Sequence, residues 1–483
     1  MFGAAMVVVG MLTGLPAGDE VVLRGPYLQL SHEHGVSVHW RTVDERASRV
    51  WYGASPDQLS MVAMGDGVGT DHEVEIQGLD AGETYYYAIG DADGVLAGGD
   101  GQHYFRTHPA VGTRERVRIW AIGDSGTANS DARVVRDAFL GYGPGTADVW
   151  VTMGDNAYLL GTDAEHQRAV FDMYPMIMRN MAMWPTYGNH DSYSADAATG
   201  TGVYFDVFAM PRDGRAGGVA SGTEAYYSFD YGNVHFVCLD SSESDRTPGS
   251  AMLSWLAQDL AATDQDWLIG VWHHPAYSDG HNSDEELESI EVREHILPIM
   301  EAAGADLVIV GHSHTLERSM LLNGHYGVSR TFDLATMALD DGDGRFDSDG
   351  AYAKAHAGLN ANEGTVYVVA GSSGRLDAGD YDHPANNVNV NELGSMVIEV
   401  EGDRLDAVFL NDEGDVRDRF SITKGIGACA ADFAPNGRLD FFDVSAFIEG
   451  LNAQAIAADM NNDARWDFFD VAAFIAAYNA GCP

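Results

Sequence analysis

Three cysteines in 483 residues cannot staple a chain this long, so its stability has to come from buried apolar surface. Basic side chains are scarce too: 27 Lys and Arg stand against 73 Asp and Glu, a formal charge of −46. Such a surface repels nucleic acid and anionic lipid, which excludes both as partners. It suits a salty setting, where counterions screen self-repulsion. Long apolar runs are absent beyond the start of the chain, so no later stretch can cross a membrane. The opening "MFGAAMVVVGMLTGLPAG" is itself too short to span a bilayer comfortably. Residues 1–18 read as a secretory signal cleaved near Ala17 or Gly18, although no Lys or Arg precedes the apolar core; the alternative is a buried first strand. Of the cysteines, Cys238 in "NVHFVCLD" reads as a buried free thiol. Cys429 and Cys482 bracket the last segment, which suits a disulfide made in an oxidising compartment.

Apolar residues make up 45% of the chain and its length allows two or three domains. Residues 20–110 contain only strand and turn signals: "GVSVHWRT" alternates, and "GLDAGETYYY" places a turn before an aromatic strand. That stretch resembles the corner between strands E and F of a fibronectin type III sandwich, with Tyr85 or Tyr87 as its anchor. Its histidines form no ligand pattern. Over residues 115–423, continuous apolar runs such as "VRIWAI", "WLIGVW" and "TVYVVAG" alternate with helical stretches, implying α/β layers with buried sheets. "AYYSFDYGNVHFVCLD" reads as a hairpin, and the end of this region as a meander. Residues 428–483 hold an internal repeat, "ADFAPNGRLDFFDVSAFIEGLN" and "ADMNNDARWDFFDVAAFIAAYN".

Five stretches share one form, an apolar run followed by a sharp turn and side chains able to bind metal. They are "AIGDSG" (Asp124), "VTMGDNAY" (Asp155, Tyr158), "YGNHD" (Asn189, His190), "VWHHP" (His273, with His274 as the alternative) and "IVGHSH" (His312, His314). Open α/β sheets place ligand sites outside the carboxyl ends of their strands, where all five would fall.

This set resembles the calcineurin-like metallophosphoesterases, and within them the purple acid phosphatase branch, whose members also carry an N-terminal fibronectin-like domain. The resemblance implies an αββα sandwich and a dinuclear centre. In most dinuclear relatives a His stands two places after the first Asp; here that place is Gly126. In the purple acid branch a Tyr three places after the second Asp coordinates instead, which is Tyr158. A phenol has a pKa of about 10, so a phenolate ligand favours a hard, highly charged ion, Fe(III). Carried over, the resemblance assigns Asp124, Asp155, Tyr158 and His314 to the first metal. It assigns Asp155, Asn189, His273 and His312 to a second, divalent ion, Zn, Fe or Mn. His190 is the expected phosphate contact and His281, in "SDGHNSD", the expected leaving-group acid, unless it is simply solvated. The implied reaction is phosphomonoester hydrolysis by in-line attack of a metal-activated hydroxide. The alternatives are a phosphodiesterase or nucleotide pyrophosphatase on the same centre, or a non-catalytic surface-binding protein. Leu316 stands where the family often has Tyr, and His325 is a further candidate for the pocket wall.

The acidic loop Asp340 to Gly350 misses the spacing of a calcium-binding loop and reads as a flexible insertion. The C-terminal repeat comes closer. It offers Asp432, Asn436, Asp440 and Asp443 in one copy and Asp459, Asn461, Asp463, Asp467 and Asp470 in the other, each followed by a helix. The helices are apolar at Val444, Phe447, Ile448 and Leu451 and at Val471, Phe474, Ile475 and Tyr478. The pair resembles type I dockerin repeats, which implies bound calcium and a cohesin-like or other surface partner, in an exported protein.

Overall fold

The computed structural model describes residues 21–280, 283–377, 382–425, 429–434 and 438–481. The expected signal segment, His281, Asn436 and Cys482 lie outside the described residues.

Alternation sets the N-terminal domain. In the long strand Gly35–Gly53, Val36, Val38 and Trp40 turn inward. Its first half pairs with Val22–His32 and its last residues with Thr84–Gly90, while Met61–Gln77 runs beside nearly all of it. Register shifts between Arg41 and Arg46 and between Ala47 and Arg49 let one strand serve all three neighbours. The two candidate corner tyrosines take different roles. Tyr85 Oη accepts from the Asp80 amide at 3.1 Å, closing the turn before its own strand. Tyr87 Oη donates to the Arg179 carbonyl at 2.7 Å and so ties this domain to the next.

Two seven-stranded sheets share one apolar core in the following domain. In the first, Val117–Ile122, Val149–Thr152 and Met183–Pro185 lie side by side and parallel, with the antiparallel meander Gly394–Glu401, Arg404–Asn411 and Val416–Lys424 beyond them. In the second, Trp267–Trp272 and Leu307–Val310 are parallel neighbours. The expected hairpin pairs Tyr227–Tyr231 with Val234–Cys238 along its edge. All five metal-motif stretches therefore leave the carboxyl ends of fully buried strands, four of them interior to their sheets and Met183–Pro185 at an edge. The helix Ser130–Gly141 starts just past the first motif, with the Asn129 side chain accepting from the Asp131 and Ala132 amides.

The acidic loop differs from its expected looseness. Arg318 Nη2 donates to the Asp343 carbonyl, Tyr352 Oη donates to that of Gly342, and the Ser421 amide donates to that of Gly344. Backbone carbonyls, which the acidic composition does not reveal, fasten it to the sheet.

The repeat forms two helices, Phe441–Asn452 and Phe468–Ala480, stacked through Phe447 and Phe474 with ring centres 4.1 Å apart. Val444, Leu451, Val471 and Tyr478 join their core. Ile448 and Ile475 do not: both are about half exposed, because two short helices touching along one line cover a narrower stripe than periodicity suggests. Asp440 and Asp467 cap the helices, and Asp443 and Asp470 complete the capping boxes. This module sits on the two-sheet domain. Buried Glu399 accepts from the Ile456 amide at 2.7 Å and from Arg118 at 2.5 Å, and Arg419 pairs with Asp459 at 3.1 Å. Cys238 is free and buried, and Cys429 is disulfide-bonded.

Candidate metal centre

Three of the motif residues take the left-handed backbone conformation: Asp124 (φ 56°), Asp155 (φ 52°) and His312 (φ 68°). Non-glycine residues are strained there, and such strain persists only where the surroundings enforce it. Enforcement is visible here. The Gly126 amide donates to the Asp155 carbonyl at 3.1 Å, the Tyr158 amide to the Gly126 carbonyl at 2.9 Å, and the His312 amide to Asp124 Oδ2 at 2.7 Å.

Gly126 explains the absent histidine sterically. A Cβ at this position would lie 2.5 Å from the Ala157 nitrogen, the Asn156 carbonyl carbon and the Asp155 oxygen. The loop that delivers Tyr158 occupies the space that a side chain would need. The two motifs are thus one packed unit, in which Gly126 has no room for a side chain and its partner loop brings Tyr158 to the same place.

The candidate ligands gather in two groups. In one, Tyr158 Oη donates to Asp124 Oδ1 at 2.9 Å and lies 3.2 Å from His314 Nε2, itself 3.4 Å from the same carboxylate oxygen. In the other, Asn189 Oδ1 lies 2.9 Å from His273 Nε2 and 3.2 Å from His312 Nδ1, and the two ring nitrogens are 3.2 Å apart. Asp155 stands between them, with Oδ1 3.5 Å from His273 Nε2; Asp124, Asp155 and His273 offer ligand atoms all within 4.8 Å of one another. His274 Nδ1 lies 2.9 Å from Ser241 Oγ, and His274 groups instead with Glu286 and His312, whose ligand atoms all lie within 4.8 Å of one another.

Electrostatics supports a cation in this space. The Asp124 and Asp155 carboxylates are buried, and among the described residues neither pairs with Lys or Arg. Burial, then the two carboxylates, push the Tyr158 phenol well above its ordinary value. A phenolate there would add a third negative charge to a dry site, which only a highly charged ion could balance. Burial raises the Asp124 carboxyl, but the His314 hydrogen bond and the positive histidines outweigh it and bring it to about 2.

Each histidine of the two groups has its outer nitrogen held. His273 Nδ1 meets the Met153 carbonyl at 2.6 Å, His312 Nε2 meets Glu286 at 3.0 Å, and His314 Nδ1 meets Asp377 at 2.6 Å. These contacts fix ring orientation and tautomer as outer partners of metal ligands do. Glu286, Asp377 and Asp191 escaped sequence reasoning. Asp191 gathers the Gly188 and Asn156 amides and the Asn156 side chain beneath the centre; burial and then nearby Asp155 push its carboxyl up to about 8. Only the "GNHD" spelling hinted at it, because backbone acceptors leave no spacing signal.

His190 lies at the mouth. Its amide donates to Asp155 Oδ1 at 2.8 Å, and its ring, 4.5 Å from that of Tyr158, stays partly exposed. Leu316 and His325 are fully buried, the latter stacked on Tyr277, so neither lines the mouth.

Residues 117–316 match the calcineurin-like phosphoesterase family, and residues 24–107 match the N-terminal domain of purple acid phosphatases. The chain is 27% identical over 316 residues to purple acid phosphatase 18 of Arabidopsis thaliana, covering 62% of this chain and 66% of that one. It is 27% identical over 278 residues to purple acid phosphatase 15 of the same plant, covering 52% and 50%. It spans between half and two thirds of the length of these relatives. Among solved structures, purple acid phosphatase PPD1 from yellow lupin seeds shares the fold with a TM-score of 0.63 at 16% identity, over 87% of this chain and 76% of that one. PhoD gives a TM-score of 0.58 at 13% identity, over 85% and 92%. With the five motifs at converging strand ends, the chain is similar to the calcineurin-like phosphoesterases over residues 117–316 and to the N-terminal domain of purple acid phosphatases over residues 24–107.

Proposed function

We propose that this chain hydrolyses phosphomonoesters at a centre of one Fe(III) and one divalent Zn, Fe or Mn ion. The observation that carries the reading is the pair of ligand groups meeting at Asp155, a buried carboxylate that no Lys or Arg pairs with among the described residues. Asp124, Asp155, Tyr158 and His314 would hold the first ion, and Asp155, Asn189, His273 and His312 the second. When bound, the ions supply Lewis acidity and acidify a bound water. The remaining work belongs to side chains. Asp377 and Glu286 keep the ligand nitrogens of His314 and His312 turned inward. His190, anchored through its ring nitrogen to the Leu159 carbonyl at 2.8 Å, presents its other edge to the phosphoryl oxygens. His281, outside the described residues, is proposed to protonate the departing oxygen.

Metal analysis of the purified protein, paired with monoester and diester substrates, tests this reading. Faster turnover of diesters would replace it with a phosphodiesterase. Tyr158→Phe sharpens the test, since it removes one oxygen and keeps the ring. A visible phenolate-to-iron band in the parent should vanish in the variant, with weaker retention of the first metal. A band that survives the substitution overturns the assignment of Tyr158.

We further propose export, on the strength of the N-terminal apolar segment and the bonded Cys429, together with a dockerin-like, calcium-binding tail that engages a cohesin-like surface partner. Among the described residues no helix is long and apolar enough to cross a membrane. Support for the tail comes from crowding in the second loop. Burial, with Asp459 and Asp463 close by, pushes the Asp470 carboxyl up, which a cation would reverse. Calcium titration followed by circular dichroism of the whole chain, with and without the tail, tests it.

A further inference from the structure

The mouth of the metal centre is edged by large apolar side chains that the fold holds in water. Leu159 is 61% exposed, Leu160 55%, Tyr193 64% and Leu376 41%. Isolated apolar side chains on a surface need no explanation, but four beside one site form a patch.

These residues sit on fastened backbone. Glu165 accepts from the Leu159 amide at 2.8 Å and the Leu160 amide at 3.2 Å, fixing the turn that follows Tyr158. Ser194 Oγ donates to the Gly161 carbonyl at 2.5 Å, fastening the Tyr193 segment to that same turn. Asp163, two residues before Glu165, pairs with Arg24 and Arg41 of the N-terminal domain at 2.8 Å each, which braces the arrangement from outside. The patch is preorganised, so a ligand resting on it would not have to order it first.

The patch also continues inward. Tyr193 lies 5.6 Å, centre to centre, from His190, and His190 lies 4.5 Å from Tyr158. A ring one or two bonds from a phosphoryl group held at His190 would come to rest on Tyr193. The one cation on this rim among the described residues with a contact to these rings is Arg375, 5.9 Å from the centre of Tyr158 and shared with Asp377. In a chain of charge −46, a single guanidinium does not equip the mouth for a polyanion.

We propose that the preferred substrates are phosphomonoesters whose leaving group is a flat aromatic alcohol, and that Tyr193 is the specificity-determining residue. The inference rests on the phosphomonoester reading for the placement of the phosphoryl group. Offset stacking on Tyr193, flanked by Leu159 and Leu160, would favour a flat ring over a puckered one of equal length.

The test pairs benzyl with cyclohexylmethyl compounds, which share reach and a primary carbon next to the phosphorus-bearing group but differ in flatness. Binding of benzylphosphonate and cyclohexylmethylphosphonate to the metal-loaded full chain is measured by calorimetry, and hydrolysis of the corresponding phosphates by KM and kcat. The expected result is Kd and KM about two- to tenfold lower for the benzyl member. In Tyr193→Ala that ratio should collapse to near one, and in Tyr193→Phe it should persist. Equal Kd values in the parent, or a ratio that survives Tyr193→Ala, overturn the inference. If neither phosphate is hydrolysed, the phosphomonoester reading fails, and the phosphonate ratio still decides whether Tyr193 selects aromatic groups.

Discussion

The metal centre and the C-terminal loops both crowd carboxylates at the ends of regular elements, yet they treat that charge differently. At the centre, Asp124 and Asp155 are buried against histidines and a phenol, and no Lys or Arg meets them among the described residues. In the tail, the acids are occupied: Asp440 and Asp467 cap helices, Asp443 and Asp470 close capping boxes, and Asp459 pairs with Arg419. We expect the two clusters to differ in how strongly they call for a cation. Buried carboxylates that no Lys or Arg offsets are costly, so we expect the centre to gain stability from a bound metal. Carboxylates already bonded to amides and a guanidinium have another way to be satisfied.

The contrast can be broken most severely at Gly126. Gly126→Ala would press a methyl group against three backbone atoms of residues 155–157 and displace the loop carrying both Asp155 and Tyr158. Overpacking of this kind costs about 1–3 kcal/mol, and we expect activity to fall by on the order of 10²-fold, as for loss of a key active-site group. Thermal unfolding, metal content and phosphatase rate read the outcome together. An unchanged metal content would refute the view that the first two motifs form one unit.

A smaller effect is expected at Asp377. Asp377→Asn keeps the shape but removes the charge that faces His314 Nδ1 at 2.6 Å. Loss of such an outer partner typically costs 10–100-fold in metal affinity. Competition with a chelator should show weaker hold of the first metal alone. Equal weakening of both metals would mean that Asp377 supports the fold rather than His314.

The smallest change should come from Arg419→Ala, which sharpens the tail's side of the comparison. Asp459 would lose its guanidinium, and without calcium we expect thermal unfolding of the tail at a lower temperature. Added calcium should then raise that temperature more in the variant than in the parent, because the ion would replace Arg419 as the partner of Asp459. Identical calcium responses would remove Asp459 from the proposed ligand set.

Much of this protein was legible before any coordinates. Motifs at the ends of apolar runs are local signals: a short buried strand needs continuous apolar residues, and a turn above it needs Gly beside the side chain it presents. Asp124, Asp155, Asn189, His312 and His314 were therefore singled out as candidates by spelling, and His273 with His274 beside it as the alternative, as was the duplicated tail. Residues that act by accepting from backbone amides or outer ring nitrogens did not. Glu286, Asp377 and Asp191 sit in stretches with no periodic constraint, and their partners are distant in sequence or hidden in the main chain.

Short-range pattern and composition were enough to give the candidate domains, the set of candidate ligands and the sign of the surface. Folding in three dimensions was needed to show that Gly126 has no room for a side chain, that His273 rather than His274 faces Asn189, and that Arg419 reaches Asp459. Each of those outcomes depends on two segments far apart in the chain arriving in one place. Distance in space between such segments is set by the packing of whole sheets, which no local pattern records.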